Sequence, residues 1–229
     1  MIRALYTAAS GMVTQSLKQD VIANNIANAQ TSGFKKERVV SWSFAEALDN
    51  TMGKFDAKRR PAYANSPVAG VTVTAEESAD DTQGQLTPTG NNLDFAIDGP
   101  GSFELQTASG TKQTRQGNFM VNSSNQLCTM DGSLVLGQSG PIQIPEGKWD
   151  VGRDGTINVD GYAVDTIKIS GADPTKTQLL QGHLENANVS IVTEMVGMIA
   201  NMRSYEANQK VVQSIDHTLD KLINEAGKV

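Results

Sequence analysis

Apolar side chains return every three or four residues at both ends of this chain, and every second residue in short runs between them. Ile2, Leu5, Ala9, Met12 and Val13 begin the first stripe, and Leu17, Val21, Ile22 and Ile26 continue it. A helix turns once in about 3.6 residues, so this spacing predicts an amphipathic helix from residue 2 to about 30. Gly33 supplies its stop, because glycine adopts the left-handed geometry of a helix end at little cost. Near the other end, Val192, Met195, Ile199 and Met202 step by three and four, followed by Val212, Ile215, Leu219 and Leu222. They predict a second helix from 187 to about 225, close in spacing to a coiled-coil seam. The register slips between Met202 and Val212, where Tyr205 and Asn208 intervene. A helix with such a slip is expected to pack against several neighbours.

The texture between the helices is different. Residues 71 to 170 carry the runs "VTVTAE", "LDFAIDG", "SFELQT", "NFMVN", "SLVLG", "IQIP", "TINVDG" and "DTIKIS". Asp98-Gly99, Asp131-Gly132, Asp154-Gly155 and Asp160-Gly161 punctuate them as turn signals, which predicts an all-β region of about eight strands. The stretch "KFDAKRRPAYANSPVAG" has Pro and Gly but no clear period, and reads as an extended linker. The expected fold class is α+β, with the N- and C-terminal helices pairing as an α-helical coiled-coil core and an all-β outer domain between them. Its expected boundaries are 1–33 for the N-terminal core helix, 34–70 for the linker, 71–182 for the β-rich domain and 183–229 for the C-terminal core helix.

Length then constrains behaviour. A helix of about 30 residues spans about 45 Å. Two such helices cannot bury every face of each other, and each large apolar side chain left wet forfeits about 1.5–3 kcal/mol. The ends are therefore expected to be mobile in a monomer and ordered in an assembly. The first 33 residues hold only Arg3, Lys18 and Asp20 as charges, among many Ala, Ser and Gly. In "DVIANNIANAQTSGFKK" the amides of Asn24, Asn25 and Asn28 donate and accept hydrogen bonds without the desolvation cost of a buried ion. Gly11 inside a helix costs up to about 1 kcal/mol, which points to a close helix contact.

Composition narrows the chemistry. Charged residues make up 19% of the chain, below the usual figure of about 25%, and the net charge is −6. That balance argues against a nucleic-acid binder, which needs a basic face. A single cysteine, Cys128, excludes an internal disulfide framework. The N-terminal stretch lacks the apolar core of a cleaved secretory signal, and nothing approaches the roughly 20 apolar residues that cross a bilayer. Export, if it occurs, is expected to proceed without a cleaved signal, and no membrane insertion is expected.

Catalytic patterns fail one by one. His183 and His217 are the only histidines, and neither has a metal-ligand spacing. Cys128 reads as a small buried hydrophobe in a strand. "GPGSFE" has Glu104 where a dinucleotide loop needs its third glycine. "DVGRDGTINVDG" has Gly161 where a calcium loop needs its bidentate Glu. The basic cluster Lys54, Lys58, Arg59 and Arg60 reads as a solvated loop. No catalytic residue, cofactor or metal is expected.

The residues do, however, resemble a known family: the axial rod and hook proteins of the bacterial flagellum. "LYTAASGM" followed by "IANAQTSGFKK" is similar to that family's N-terminal A-N-x-x-T-x-G-[FY]-K signature. "LENANV…EMV…RSYEAN" is similar to its C-terminal segment, and "QGQLTPTGNNLDFAIDGPGSF", "TRQGNFMVNSSNQLCTMDG" and "GPIQIP" resemble its β-domain blocks. Ser102 stands where the family has a second aromatic beside Phe103. The short passage from "DTIKISG" to "LLQGHLEN" leaves no room for the extra outer domain of hook proteins, which favours a rod subunit over a hook-type axial subunit.

The resemblance implies a structural subunit of the flagellar rod, a drive shaft assembled as a hollow helical tube in the basal body. Paired terminal helices would line its core and the β domain would lie outside. Implied partners are further copies of itself, neighbouring rod and hook subunits, and the flagellar type III export apparatus. Expected interface residues are Leu5, Ala9, Met12, Val13, Asn25, Ile26, Asn28, Val192, Met195, Ile199, Met202, Tyr205, Val212, Ile215, Leu219 and Leu222. The competing reading from another class is a cell-wall-associated β-domain binding module.

Overall fold

The computed structural model describes residues 2–43, 72–144, 149–159, 161–173 and 175–226. The Lys54–Arg60 basic cluster lies outside them. The chain forms helix α1 (Ile2–Ala27), strands β1 (Glu37–Ser43) and β2 (Thr72–Ala79), a series of short strands, and helix α2 (Ile191–Ala226). It divides into two compact units. One draws on Met1–Ala27, Glu37–Asp80 and Ser190–Val229, the other on Asn28–Lys36 and Asp81–Val189.

In the helical unit, α1 and α2 lie side by side and antiparallel. Asn201 of α2 donates its amide to the Gln15 carbonyl at 2.7 Å and to Gln19 Oε1 at 2.9 Å. Gly197 faces Ile22 on one side of this bond, and Gly11 faces Asn208 on the other. A β-carbon on Gly11 would stand 2.9 Å from the Asn208 amide nitrogen, so a larger residue there would have to displace the Asn208 side chain.

The face that α2 turns to α1 explains the register slip. Glu194 and Asn201 are buried and Asn208 is half-buried, seven residues apart in sequence. One step further on come Val212, Ile215 and Leu219, all half-buried. The inner face is thus polar in its first half and apolar in its second. The apolar row Val192, Met195, Ile199 and Met202 belongs to a different face, and these side chains are 73%, 51%, 54% and 52% exposed.

Strands β1 and β2 complete this unit, pairing antiparallel from Glu37↔Ala79 to Ser43↔Thr72. The first seven-residue strand lies inside the stretch read as linker. Its partner β2 is far away in sequence, so local signals missed it. "VTVTAE" likewise contributes to β2, alongside the helices.

The β unit begins with β3 (Leu86–Pro88), β4 (Phe95–Asp98), β5 (Ser102–Thr107) and β6 (Gly110–Thr114). Next come β7 (Met120–Val121), β8 (Leu127–Cys128) and β9 (Leu134–Val135). A second group is β10 (Trp149–Val151), β11 (Thr156–Val159) and β12 (Tyr162–Thr166). The last are β13 (Ile169–Ser170), β14 (Gln178–Gln181) and β15 (His183–Glu185). The larger sheet runs β13-β5-β9-β8-β7 with β6 on β5, and β10-β11-β12 form a second. β14 pairs with β4, and β15 with β3. The strands are shorter and more numerous than the alternating runs suggested, and isolated bridges such as Gln126↔Gln143 and Leu136↔Pro141 add to their pairing.

Alternation still defines the core. Phe103 and Leu105 of β5 point inward, as do Ile157 and Val159 of β11, and they join Phe95, Phe119, Leu127, Ile142 and Leu179. Phe103 meets Phe119 edge-on, with centroids 5.2 Å apart at 81°. Ser102, one position earlier, lies on the opposite face of β5 and pairs with Ser170. Cys128 is buried in β8 as a small apolar side chain. Leu127 has no exposed surface. Leu127→Ala is expected to lower β-unit stability by about 2–5 kcal/mol, measured as a shift of the chemical denaturation midpoint.

Candidate assembly surface and its anchor

The C-terminal end of β15 places Glu185 in the interior of the β unit, where its side chain is 1% exposed. An isolated carboxylate there would be heavily penalised, yet this one is fully engaged. Lys35 Nζ donates to Oε1 at 2.6 Å and the Gly84 amide donates to the same oxygen at 2.8 Å. Arg115 Nη1 donates to Oε2 at 3.1 Å. Both cations make further bonds. Lys35 reaches the Thr82 carbonyl at 2.7 Å, while Arg115 Nε and Nη2 bond the Gly101 and Gly99 carbonyls at 2.8 and 2.7 Å.

This carboxylate gathers distant parts of the sequence. The Gly33 amide donates to the Glu185 backbone carbonyl at 2.7 Å, and the Lys36 amide to Asn188 Oδ1 at 2.6 Å. Gly33 has φ +69°, and a β-carbon there would collide with the Arg115 carbonyl group. The turn after α1 is thereby seated on the β unit. Sequence reasoning treated Gly33 as a helix stop and passed over Lys35, Arg115 and Glu185. Each is a charged residue inside one of the blocks quoted above, with nothing local to mark its partner.

The asparagines of the opening segment also act within the chain. Asn25 is 1% exposed. Its Nδ2 donates to the Glu37 carbonyl at 2.7 Å and its Oδ1 accepts from the Glu37 amide at 2.9 Å, so the side chain imitates a strand partner for β1. Asn24 Nδ2 donates to Glu37 Oε2 at 3.1 Å. The Asn28 carbonyl accepts from the Thr31 amide at 3.0 Å.

The other residues expected at an interface divide by exposure. Leu5, Val13, Val192, Met195, Ile199, Met202, Tyr205 and Leu222 are exposed. Ala9, Met12, Ile26, Asn28, Val212, Ile215 and Leu219 are half-buried. Tyr6, Leu17, Val196, Val211 and Ile223 extend the exposed set beyond the sequence reading. So many large apolar side chains in the open on two helices form a surface of the kind that marks an interaction site.

Among the described residues, no group of three His, Cys, Asp or Glu side chains is placed to hold a metal. Nor is any helix among them long and apolar enough to cross a membrane. In the loop that hinted at calcium, Asp154 accepts from the Thr156 hydroxyl at 2.7 Å and the Thr156 amide at 3.2 Å. The hydroxyl and then the amide hold this carboxyl below its usual range, which makes it a turn-forming group. His183 lies in β15 with Nδ1 2.9 Å from the Gln181 carbonyl.

Removing the anchor tests its weight. Glu185→Ala leaves two part-buried cations without their carboxylate and is expected to cost about 3 kcal/mol of β-unit stability, read from thermal or chemical unfolding.

Three family models match separate parts of the chain. Residues 5–35 match flagella basal body rod protein, 96–162 the flagellar hook protein FlgE/F/G D1 domain, and 180–225 the flagellar basal body rod FlgEFG protein C-terminal region. Each span contains one member of the Lys35–Arg115–Glu185 cluster. Among similar proteins, the flagellar basal-body rod protein FlgG of Bacillus subtilis is 32% identical, over 98% of this chain and 99% of its own. FlgG of Caulobacter vibrioides is 34% identical, over 95% and 97%. FlgF of the same organism is 30% identical over the full length of both chains. Similarity of this extent shows that the chain belongs to the flagellar basal-body rod protein family, as a structural and non-enzymatic subunit of the basal body.

Proposed function

We propose that the chain polymerises through its terminal helices into a hollow helical tube that carries torque from motor to hook. The observation that carries this reading is the row Val192, Met195, Ile199 and Met202, apolar and open on α2 while the opposite face meets α1. Covering each such side chain contributes about 1.5–3 kcal/mol, so the row favours association whenever a matching surface is present. The interface on this reading comprises Leu5, Val13, Tyr205 and Leu222 together with that row. Neighbouring axial subunits of the flagellum supply the contacts at the ends of the polymer.

The helix pair within one protomer is, on the same reading, a coiled coil. Glu194, Asn201, Asn208 and Ile215 recur every seven residues on the face toward α1, which is the spacing that keeps one seam facing its partner. Buried Asn at such positions specifies register at a cost in stability. A pair weakened in this way suits a subunit that crosses the type III export apparatus unfolded and gains its stability from the assembled shaft.

Ile199→Glu, and separately Met195→Glu, are expected to abolish swimming while leaving the melting of the β unit unchanged. Normal swimming by cells whose only copy carries either variant would remove the assembly reading.

A further inference from the structure

We propose that the contact between copies is keyed by charge, with Arg203 of one copy entering an acidic groove between α1 and α2 of the next. The inference rests on the assembly reading above and adds which faces meet.

The groove measures about 370 Å³, and Gln15, Gln19, Asp20, Asn201, Tyr205 and Glu206 line it. Its floor is fixed, because Asn201 is only 8% exposed and its amide nitrogen is spent on Gln15 and Gln19. Its rim is not. Asp20 and Glu206 are exposed, and neither has an ion-pair partner among the described residues. On the neighbouring flank of α2, Arg203 stands beside a shallow hollow of about 340 Å³ formed with Val196, Ile199 and Ala200. Arg203 is equally without an ion-pair partner among the described residues, although Glu206 is three positions along the same helix.

Guanidinium chemistry fits what the groove offers. A planar cation stacks on an aromatic face and bonds carboxylates with a rigid fork of donors. Here Tyr205 supplies the face, and Asp20 and Glu206 supply the carboxylates. The apolar row on α2 lies beside both patches, and charges flanking an apolar seam set partner and register between packed helices. A second copy carries both the donor and the acceptors. Because donor patch and acceptor patch are different surfaces, the contact is heterologous and can repeat without limit, as a filament requires.

Two measurements test the proposal. In cells whose only copy is altered, Arg203→Asp and Asp20→Arg are each expected to reduce swimming by about tenfold or more, and D20R/R203D together to recover most of it. Independently of motility, Asp20→Cys and Arg203→Cys chains are co-expressed with the unaltered chain, which keeps rods assembling, and isolated basal bodies are treated with a bismaleimide cross-linker, because α-carbons across an Arg–carboxylate pair lie beyond the roughly 7 Å that a disulfide spans. A dimer-sized cross-link that needs both cysteines is expected; Cys128, at 3% exposure, is too buried to contribute. That cross-link sustains the proposal even where the reversed pair does not assemble. Its absence overturns the proposal, whether the groove is empty or filled by another flagellar protein. If Ile199→Glu still blocks swimming in that case, the rod reading stands and only the charge key falls.

Discussion

A single buried carboxylate decides how the β unit is put together. Glu185 is shut away from water, so it must be satisfied from within, and Lys35, Arg115 and the Gly84 amide do so. Each partner comes from a different segment, and each cation also bonds backbone carbonyls. Loss of Glu185 leaves both cations without their carboxylate, whereas loss of either cation leaves the buried carboxylate with the other alone. The arrangement also accounts for the glycine between α1 and Lys35. With φ at +69° and the Arg115 backbone against it, position 33 admits no side chain.

The helical unit follows the opposite logic. Its internal contact is deliberately lean: Asn201 bonded to Gln15 and Gln19, Gly11 against Asn208, and an apolar stretch only beyond Val212. Its stronger hydrophobic potential is turned outward, on Val192, Met195, Ile199 and Met202. Covering that row would contribute about 1.5–3 kcal/mol per side chain, which is the basis of the assembly proposed above. The β unit, by contrast, closes its own core with Phe95, Phe103, Phe119, Leu127 and Ile142.

Much of this was legible beforehand. Helical spacing located α1 and α2 closely, and alternation located Phe103, Leu105, Ile157 and Val159 on the inner face of their strands. Both signals are local, since a side chain's direction follows from the period of its own element. Strand β1 was not legible. Its pairing with β2 joins residues far apart in sequence, and no turn motif adjoins it. The roles of Asn25 and Glu185 were hidden for the same reason, because each is defined by a partner that only the fold brings near.

By itself, then, the sequence determined the α+β layout, the apolar stripes at both ends and the absence of catalytic patterns, and its motifs pointed to the family. The tertiary structure decided which stripe faces which neighbour. Periodicity states that a helix has an apolar side; it is silent on whether the partner lies within the chain. That question turned on Asn201 reaching Gln15, which rotates α2 so that its polar seam faces α1 and its apolar row faces out.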